Sequence, residues 1–113
     1  MLKEKLEIFL VTYNRKDELS KTLESIFSKD SPIKNLNITI LDNNSSDGTS
    51  ELIKEYCVQY KNIKHIRNNR NIGANANIAR CYELANKEYM WILCDDDIYN
   101  WSSWNEVEEA DRN

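Results

Sequence analysis

Four short apolar runs punctuate the chain: Ile8-Phe9-Leu10-Val11, Ile38-Thr39-Ile40-Leu41, Ile63-Lys64-His65-Ile66 and Tyr89-Met90-Trp91-Ile92-Leu93-Cys94. The first, second and fourth are apolar on consecutive positions, the pattern of strands covered on both faces. The third alternates with Lys64 and His65 and reads as a half-exposed edge strand. The spacers carry helical spacing. Leu19, Leu23, Ile26 and Phe27 form one stripe, Leu52, Ile53, Tyr56, Cys57 and Tyr60 a second, and Ala74, Ile78, Cys81, Tyr82 and Ala85 a third. A fourth helix within 101–111 would have only a thin apolar side, because Glu106, Glu108, Glu109 and Asp111 occupy the rest. Strand and helix alternate throughout, so the expectation is an α/β fold of βαβ units around a mainly parallel sheet with right-handed crossovers. No linker interrupts the pattern, and residues 1–113 read as one domain.

Composition narrows the chemistry. With 2 Gly in 113 residues, neither a glycine-rich dinucleotide loop nor a Walker-type phosphate loop can be built. One histidine excludes a His-rich zinc site. A net charge of −4 argues against a nucleic-acid partner, which needs a basic face. Cys57, Cys81 and Cys94 are odd in number, widely spaced and without a CxxC pair, the usage of reduced thiols in a cytoplasmic protein. The N-terminal segment lacks the apolar stretch of a secretory signal, and no run approaches the about 20 apolar residues of a membrane span.

In a parallel sheet, ligands bind outside the carboxyl ends of the strands. Those ends read Thr12-Tyr13-Asn14-Arg15, Asp42-Asn43-Asn44, Asn68-Asn69-Arg70-Asn71 and Asp95-Asp96-Asp97. The acidic triplet is the sharpest signal. In extended geometry Asp95 and Asp97 point to one side, and two carboxylates about 5 Å apart at an effective dielectric near 20 repel by roughly 3 kcal/mol. Such a pair raises one pKa or holds a cation, and oxygen-only ligands favour Mg²⁺ or Mn²⁺ completed by phosphate oxygens; the alternative is a solvated acidic turn. Asp42 could accept hydrogen bonds from a base or ribose, or could cap the following helix. Asp47-Gly48 reads as turn and cap chemistry. Gly73 suits a tight turn or a close backbone approach beside a ligand, among neutral donors at Asn68, Asn69, Asn71, Asn75 and Asn77.

Taken together, Val11-Thr12-Tyr13-Asn14-Arg15, Ile40-Leu41-Asp42-Asn43-Asn44-Ser45-Ser46-Asp47-Gly48-Thr49, Asn71-Ile72-Gly73-Ala74 and Asp95-Asp96-Asp97 resemble, in order and spacing, the N-terminal half of family 2 glycosyltransferases of GT-A fold. The resemblance spans roughly residues 7–97. It implies a Rossmann-like nucleotide-binding half with strand order 3-2-1-4. It further implies that Thr12, Tyr13 and Asn14 surround a base, that Asp42 contacts base or ribose, and that the segment from Asn71 through Gly73 to Arg80 lies along the nucleotide. Asp95, Asp96 and Asp97 would form a DxD-type motif, Asp95 and Asp97 holding Mn²⁺ or Mg²⁺ and Asp95 and Asp96 touching the nucleotide. Where many members carry an arginine this chain has Ile78, and Arg80 stands two positions later.

The implied reaction is metal-assisted transfer of a sugar, with inversion, from a nucleotide-sugar (UDP-sugar favoured) to a hydroxyl of a saccharide or lipid-linked saccharide acceptor. Family members continue well past the acidic motif, and their later half supplies the catalytic base and most of the acceptor site. No catalytic residue is therefore assigned. The chain is expected to be the donor-binding part of a longer catalytic domain, cytoplasmic or peripheral at the inner face of the membrane, with little transferase activity alone. Two other readings are open. A phospho-accepting receiver module is disfavoured by Thr12-Tyr13-Asn14 at the first strand's end, where acids are needed. A non-catalytic nucleotide-binding or oligomerisation module could pair copies through an exposed sheet edge.

Overall fold

A computed structural model describes residues 2–95; Asp96, Asp97 and the expected helix within 101–111 lie outside the described residues. A short turn of helix, α1 (Leu2–Lys5), leads into β1 (Leu6–Thr12), followed by α2 (Lys16–Ile26), β2 (Asn37–Asp42), α3 (Thr49–Gln59), β3 (Ile63–Arg67), α4 (Ala74–Leu84) and β4 (Tyr89–Cys94). The strands form one sheet in the order β3-β2-β1-β4, every pairing parallel. This is the expected order, and it puts β3 at an edge as its alternating pattern required.

Alternation along β1 divides the core between the two faces. Ile8 and Leu10 point to the side covered by α2 and α3, where they meet Leu19, Leu23, Ile26, Ile38, Ile40 and Ile53. Phe9 points to the other side, with Leu41 and Cys81, under α4. Leu19, Leu23 and Ile26 are fully buried, so the α2 stripe is as read from its spacing. Each such side chain contributes roughly 1.5–3 kcal/mol through burial. In α3 only Ile53 is fully buried among the stripe residues. Tyr56 and Tyr60 instead stack with Phe27, the Phe27 and Tyr60 rings 4.1 Å apart.

Two expectations need correction. The α4 stripe does not face inward as a whole: Cys81 is buried, but Tyr82 is 67% exposed and Ile78 36%. The helix is rotated so that Asn77 and Cys81, four apart, meet the sheet. A polar residue tolerates that position because its Nδ2 donates to Leu41 O (3.2 Å) and its Oδ1 accepts from Asn68 Nδ2 (2.9 Å). The fourth apolar run is also not covered on both faces among the described residues. Only Leu93 is fully buried, while Met90, Trp91 and Ile92 are half-buried and Tyr89 is exposed, because β4 is the second edge of the sheet. All three cysteines are free thiols; burial pushes that of Cys81 up to about 11. No helix among the described residues is long and apolar enough to cross a membrane.

Candidate functional site

Register sets the site's floor. Thr12 pairs with Asp42, Asp42 with Arg67, and Val11 with Cys94, so all four strands end on one rim. The loops above that rim are laced together. Asn14 takes φ +48°, a left-handed conformation that Asn tolerates better than most residues. There its N–H donates to Ser45 Oγ (2.9 Å) and its Oδ1 accepts from Ser46 N–H (2.7 Å). Asp47 closes the same seam: Oδ2 accepts from Lys16 N–H (3.1 Å) and Oδ1 from Thr49 N–H (3.0 Å). Gly48 begins α3 at φ +98°, where a side chain would be strained and a Cβ would come within 3.1 Å of Lys16. Asp47-Gly48 is thus turn and cap chemistry, as its residue types suggest.

Asp42 lies beneath this seam and is fully buried. Its Oδ1 accepts from Ser45 N–H (3.0 Å) and Ser45 Oγ–H (2.6 Å), its Oδ2 from Ser50 Oγ–H. Arg67 Nε and His65 Nε2 each lie 3.7 Å from Oδ2. Burial by itself would raise the carboxyl pKa, but the His65 ring and the Ser45 and Ser50 hydrogen bonds outweigh it and hold Asp42 well below the usual carboxylate range. Asp42 therefore organises the rim from below.

Above the rim is a cleft of about 410 Å³, lined by Thr12 and Tyr13 from the end of β1, Asn43 from the end of β2, Asn71 and Gly73 from the β3–α4 loop, and Asp95 from the end of β4. Val11, Arg15, Ala74, Asn77 and Ile78 complete the wall. Tyr13 offers a 42%-exposed ring. Thr12 is 4% exposed, and its Oγ1 is buried without a hydrogen-bond partner among the described residues. Buried hydroxyls are rarely left unsatisfied, so a donor or acceptor on the cleft's edge is one a ligand can supply.

A continuous amide network shapes the opposite wall. Asn43 Nδ2 donates to Asn71 Oδ1 (2.8 Å), and Asn43 Oδ1 accepts from Ile72 N–H (3.0 Å) and Asn68 Nδ2 (2.9 Å). Asn71 Oδ1 also accepts from Gly73 N–H (2.8 Å). Gly73 itself sits at φ +90° and ψ 153°, a region essentially closed to other residues. A Cβ there would meet nothing within 4 Å, so the backbone conformation demands glycine, and space does not.

Asp95 is the acidic residue of the cleft. Its carbonyl accepts from Thr22 Oγ1 (2.9 Å), which ties the strand's end to α2, and its Oδ1 lies 3.8 Å from Arg15 Nε. Its side chain is 12% exposed. A carboxylate lining a cleft in this way is a hard oxygen donor suited to Mg²⁺ or Mn²⁺. Among the described residues no group of three or more His, Cys, Asp or Glu is arranged to hold a metal ion, and Asp96 and Asp97 lie outside them.

Of the residues singled out from the sequence, the cleft brings together Thr12, Tyr13, Asn71, Gly73 and Asp95. Asn14 is exposed in the loop seam and does not line the cleft, Asp42 lies buried beneath that seam, and Arg80 lies on the far side of the β3–α4 loop, where it donates to Asn68 Oδ1. Asn43, Arg15, Asn77 and Ile78 were not singled out as site residues. Asn43 follows directly on the strand-end aspartate and could have been found by asking which of two adjacent residues faces in. Asn77 is one of the neutral donors named around Gly73, but its burial against the sheet carries no signal, because the spacing makes the inward face of the helix the stripe through Ile78 and Tyr82.

The sequence and the fold have known counterparts. Residues 7–109 match the sequence profile of Glycosyl transferase family 2. The chain is 39% identical over 87 residues to the abequosyltransferase RfbV of Salmonella typhimurium, covering 76% of this chain and 26% of that protein. It superposes with TM-score 0.77 on S. aureus TarS 1-349 in complex with UDP (21% identity, 93% of this chain, 31% of that one). It superposes with TM-score 0.74 on the mannosyltransferase PcManGT of Pyrobaculum calidifontis in complex with GDP-Man and Mn²⁺ (18% identity, 88% of this chain, 29% of that one). It therefore spans about a third or less of each of these proteins. The strand order, the cleft at the carboxyl ends of the strands and the profile match agree: this chain belongs to glycosyl transferase family 2.

Proposed function

We propose that the cleft binds the nucleotide part of a nucleotide-sugar, UDP-sugar favoured, and that the protein of which this sequence is the donor-binding part transfers the sugar to an acceptor hydroxyl. The observation that carries the reading is the convergence of three strand ends and the Asn71–Gly73 loop on one cleft whose buried Thr12 hydroxyl has no partner among the described residues. The Tyr13 ring offers a face for a base. Asn43 and Asn77 supply amides at the cleft wall, and Arg15 supplies a positive charge near Asp95. A UDP complex of TarS and a GDP-Man complex of PcManGT support a nucleotide ligand.

In the reaction an acceptor oxygen bonds to the anomeric carbon from the face opposite the diphosphate, giving inversion. The carbon–oxygen bond to the phosphate breaks, the nucleoside diphosphate leaves with that electron pair, and the acceptor hydroxyl gives up its proton to a general base or to solvent. Asp95 together with Asp97 would hold a divalent cation, Mn²⁺ or Mg²⁺, with Asp96 facing the nucleotide; the Mn²⁺ complex of PcManGT supports this choice of ion. The cation supplies charge neutralisation to the leaving diphosphate. Arg15 sits where it can pair with Asp95 in one state and with a phosphate in another.

Calorimetric titration of the chain with UDP, GDP and dTDP, with and without Mn²⁺, tests the reading. Saturable UDP binding strengthened by Mn²⁺ is expected. Absence of binding to all three nucleotides would overturn the nucleotide assignment. Tight binding indifferent to both Mn²⁺ and Asp97→Ala would overturn the metal assignment alone.

A further inference from the structure

The β3–α4 loop has two sides. Asn71 and Gly73 face the cleft, while Asn69, Arg70 and Ile72 line a separate open hollow of about 400 Å³ on the other side. That hollow also takes in Arg67 and Arg80, so three arginines line it, and among the described residues that line it there is no carboxylate. The concentration of positive charge is conspicuous in a chain whose net charge is −4.

Two of the three arginines are held in place from behind. Arg67 donates through a terminal nitrogen to Ser45 O (2.9 Å) and lies 3.7 Å from Asp42, yet its side chain is 47% exposed. Arg80 donates to Asn68 Oδ1, and Asn68 is itself fixed by donating to Asn43 and Asn77. Arg70 is exposed and has no hydrogen bond or ion pair among the described residues. Gathering like charges on one concave surface costs energy that an anion would repay. Guanidinium groups, with forked donors and weak hydration, match tetrahedral oxyanions better than lysines do.

We propose that this hollow is an anion site for a phosphate group, separate from the cleft and divided from it by residues 68–73. The inference stands on the arginines and does not depend on which ligand the cleft takes. The phosphate can belong to a soluble phosphate-bearing compound or to a lipid headgroup, and the two sources are separable by experiment.

The test uses the ¹⁵N-labelled full chain, titrated with inorganic phosphate at constant ionic strength while the arginine side-chain Nε–H resonances are followed. Saturable shifts of Arg67, Arg70 and Arg80 are expected, unchanged by saturating UDP. Arg70→Ala should weaken the binding about tenfold or more, with the rest of the spectrum intact. Arg80→Lys, which keeps the charge and loses the fork, should weaken it less. In parallel, sedimentation is measured with vesicles of phosphatidylcholine alone or mixed with phosphatidylglycerol. Sedimentation with the anionic vesicles that is lost in Arg70→Ala assigns the phosphate to a lipid, and phosphate saturation without it assigns a soluble ligand. Shifts that never saturate, that survive Arg70→Ala unchanged, or that UDP abolishes would overturn the proposal.

Discussion

Two carboxylates end strands on the same rim of the sheet, Asp42 on β2 and Asp95 following β4, on either side of β1. They have the same chemistry and different surroundings. Asp42 is fully buried, with both oxygens engaged by Ser45, Ser50, His65 and Arg67. Asp95 lines the cleft, and Arg15 Nε lies 3.8 Å from its Oδ1, with half the arginine side chain in solvent. The general rule about strand ends says where ligand-binding groups collect. Which carboxylate can meet a ligand is decided by whether its side chain lines the cleft, as that of Asp95 does, or lies in the layer beneath it, as that of Asp42 does.

The largest effect expected from this contrast is on stability. Asp42→Ala leaves Arg67 without its buried counter-ion and Ser50 without its acceptor, which should cost about 3–5 kcal/mol in urea unfolding. Asp95→Ala removes its pairing with the half-exposed Arg15 and leaves the carbonyl held by Thr22, so it should cost less, about 1–2 kcal/mol. Equal losses in the two variants would erase the distinction.

Binding should invert the order. Asp95→Asn keeps the shape and removes the charge, and Mn²⁺-dependent UDP affinity should fall about tenfold or more by calorimetry. Asp42→Asn, measured at a temperature where it is folded, should change that affinity by less than about threefold, one RT unit being a factor of about 2.7. A larger loss in Asp42→Asn than in Asp95→Asn would return the nucleotide contact to β2.

The same contrast explains what was legible in the sequence. The four strands, their parallel pairing and the edge position of β3 follow from runs such as Ile8–Val11 and from the Lys64-His65 interruption, because burial imposes composition directly. The resemblance supplied the strand order and the general position of the site. Asp42 and Asn43, however, differ by one residue, and only the direction each side chain takes at the strand's end separates the cleft wall from the layer beneath it. The α4 stripe failed for a related reason. Asn77 is buried because Leu41 O and Asn68 satisfy it, and those partners lie 36 and 9 residues away in sequence. Satisfaction of buried amides is a three-dimensional property that no local period encodes.

A smaller effect distinguishes conformation from packing at the cleft's other wall. Gly73→Ala forces a Cβ into φ +90° and should destabilise the chain by about 1–3 kcal/mol. No clash contributes, since the space around it is open. If Gly73→Ala unfolds at the same urea concentration as the unsubstituted chain, the loop must relax to negative φ. The hydrogen bond from Gly73 N–H to Asn71 would then no longer pin the wall.

The mildest test is pH. Asp42 has a folded-state pKa held below its unfolded value near 3.9. In the acid range the unfolded chain therefore binds more protons at this residue than the folded one, and stability rises with pH. The contribution is fully present above the unfolded value and is lost as pH falls through the folded one, below the usual carboxylate range. Between about pH 5 and 8, where no ordinary carboxylate titrates, Asp42 should impart no slope at all. Urea midpoints measured downward from about pH 4 should fall more steeply for the unsubstituted chain than for Asp42→Asn, which has no proton to gain there. Parallel acid limbs would mean that Asp42 is not held ionised by its neighbours, and its description as the carboxylate spent on structure would fail with it.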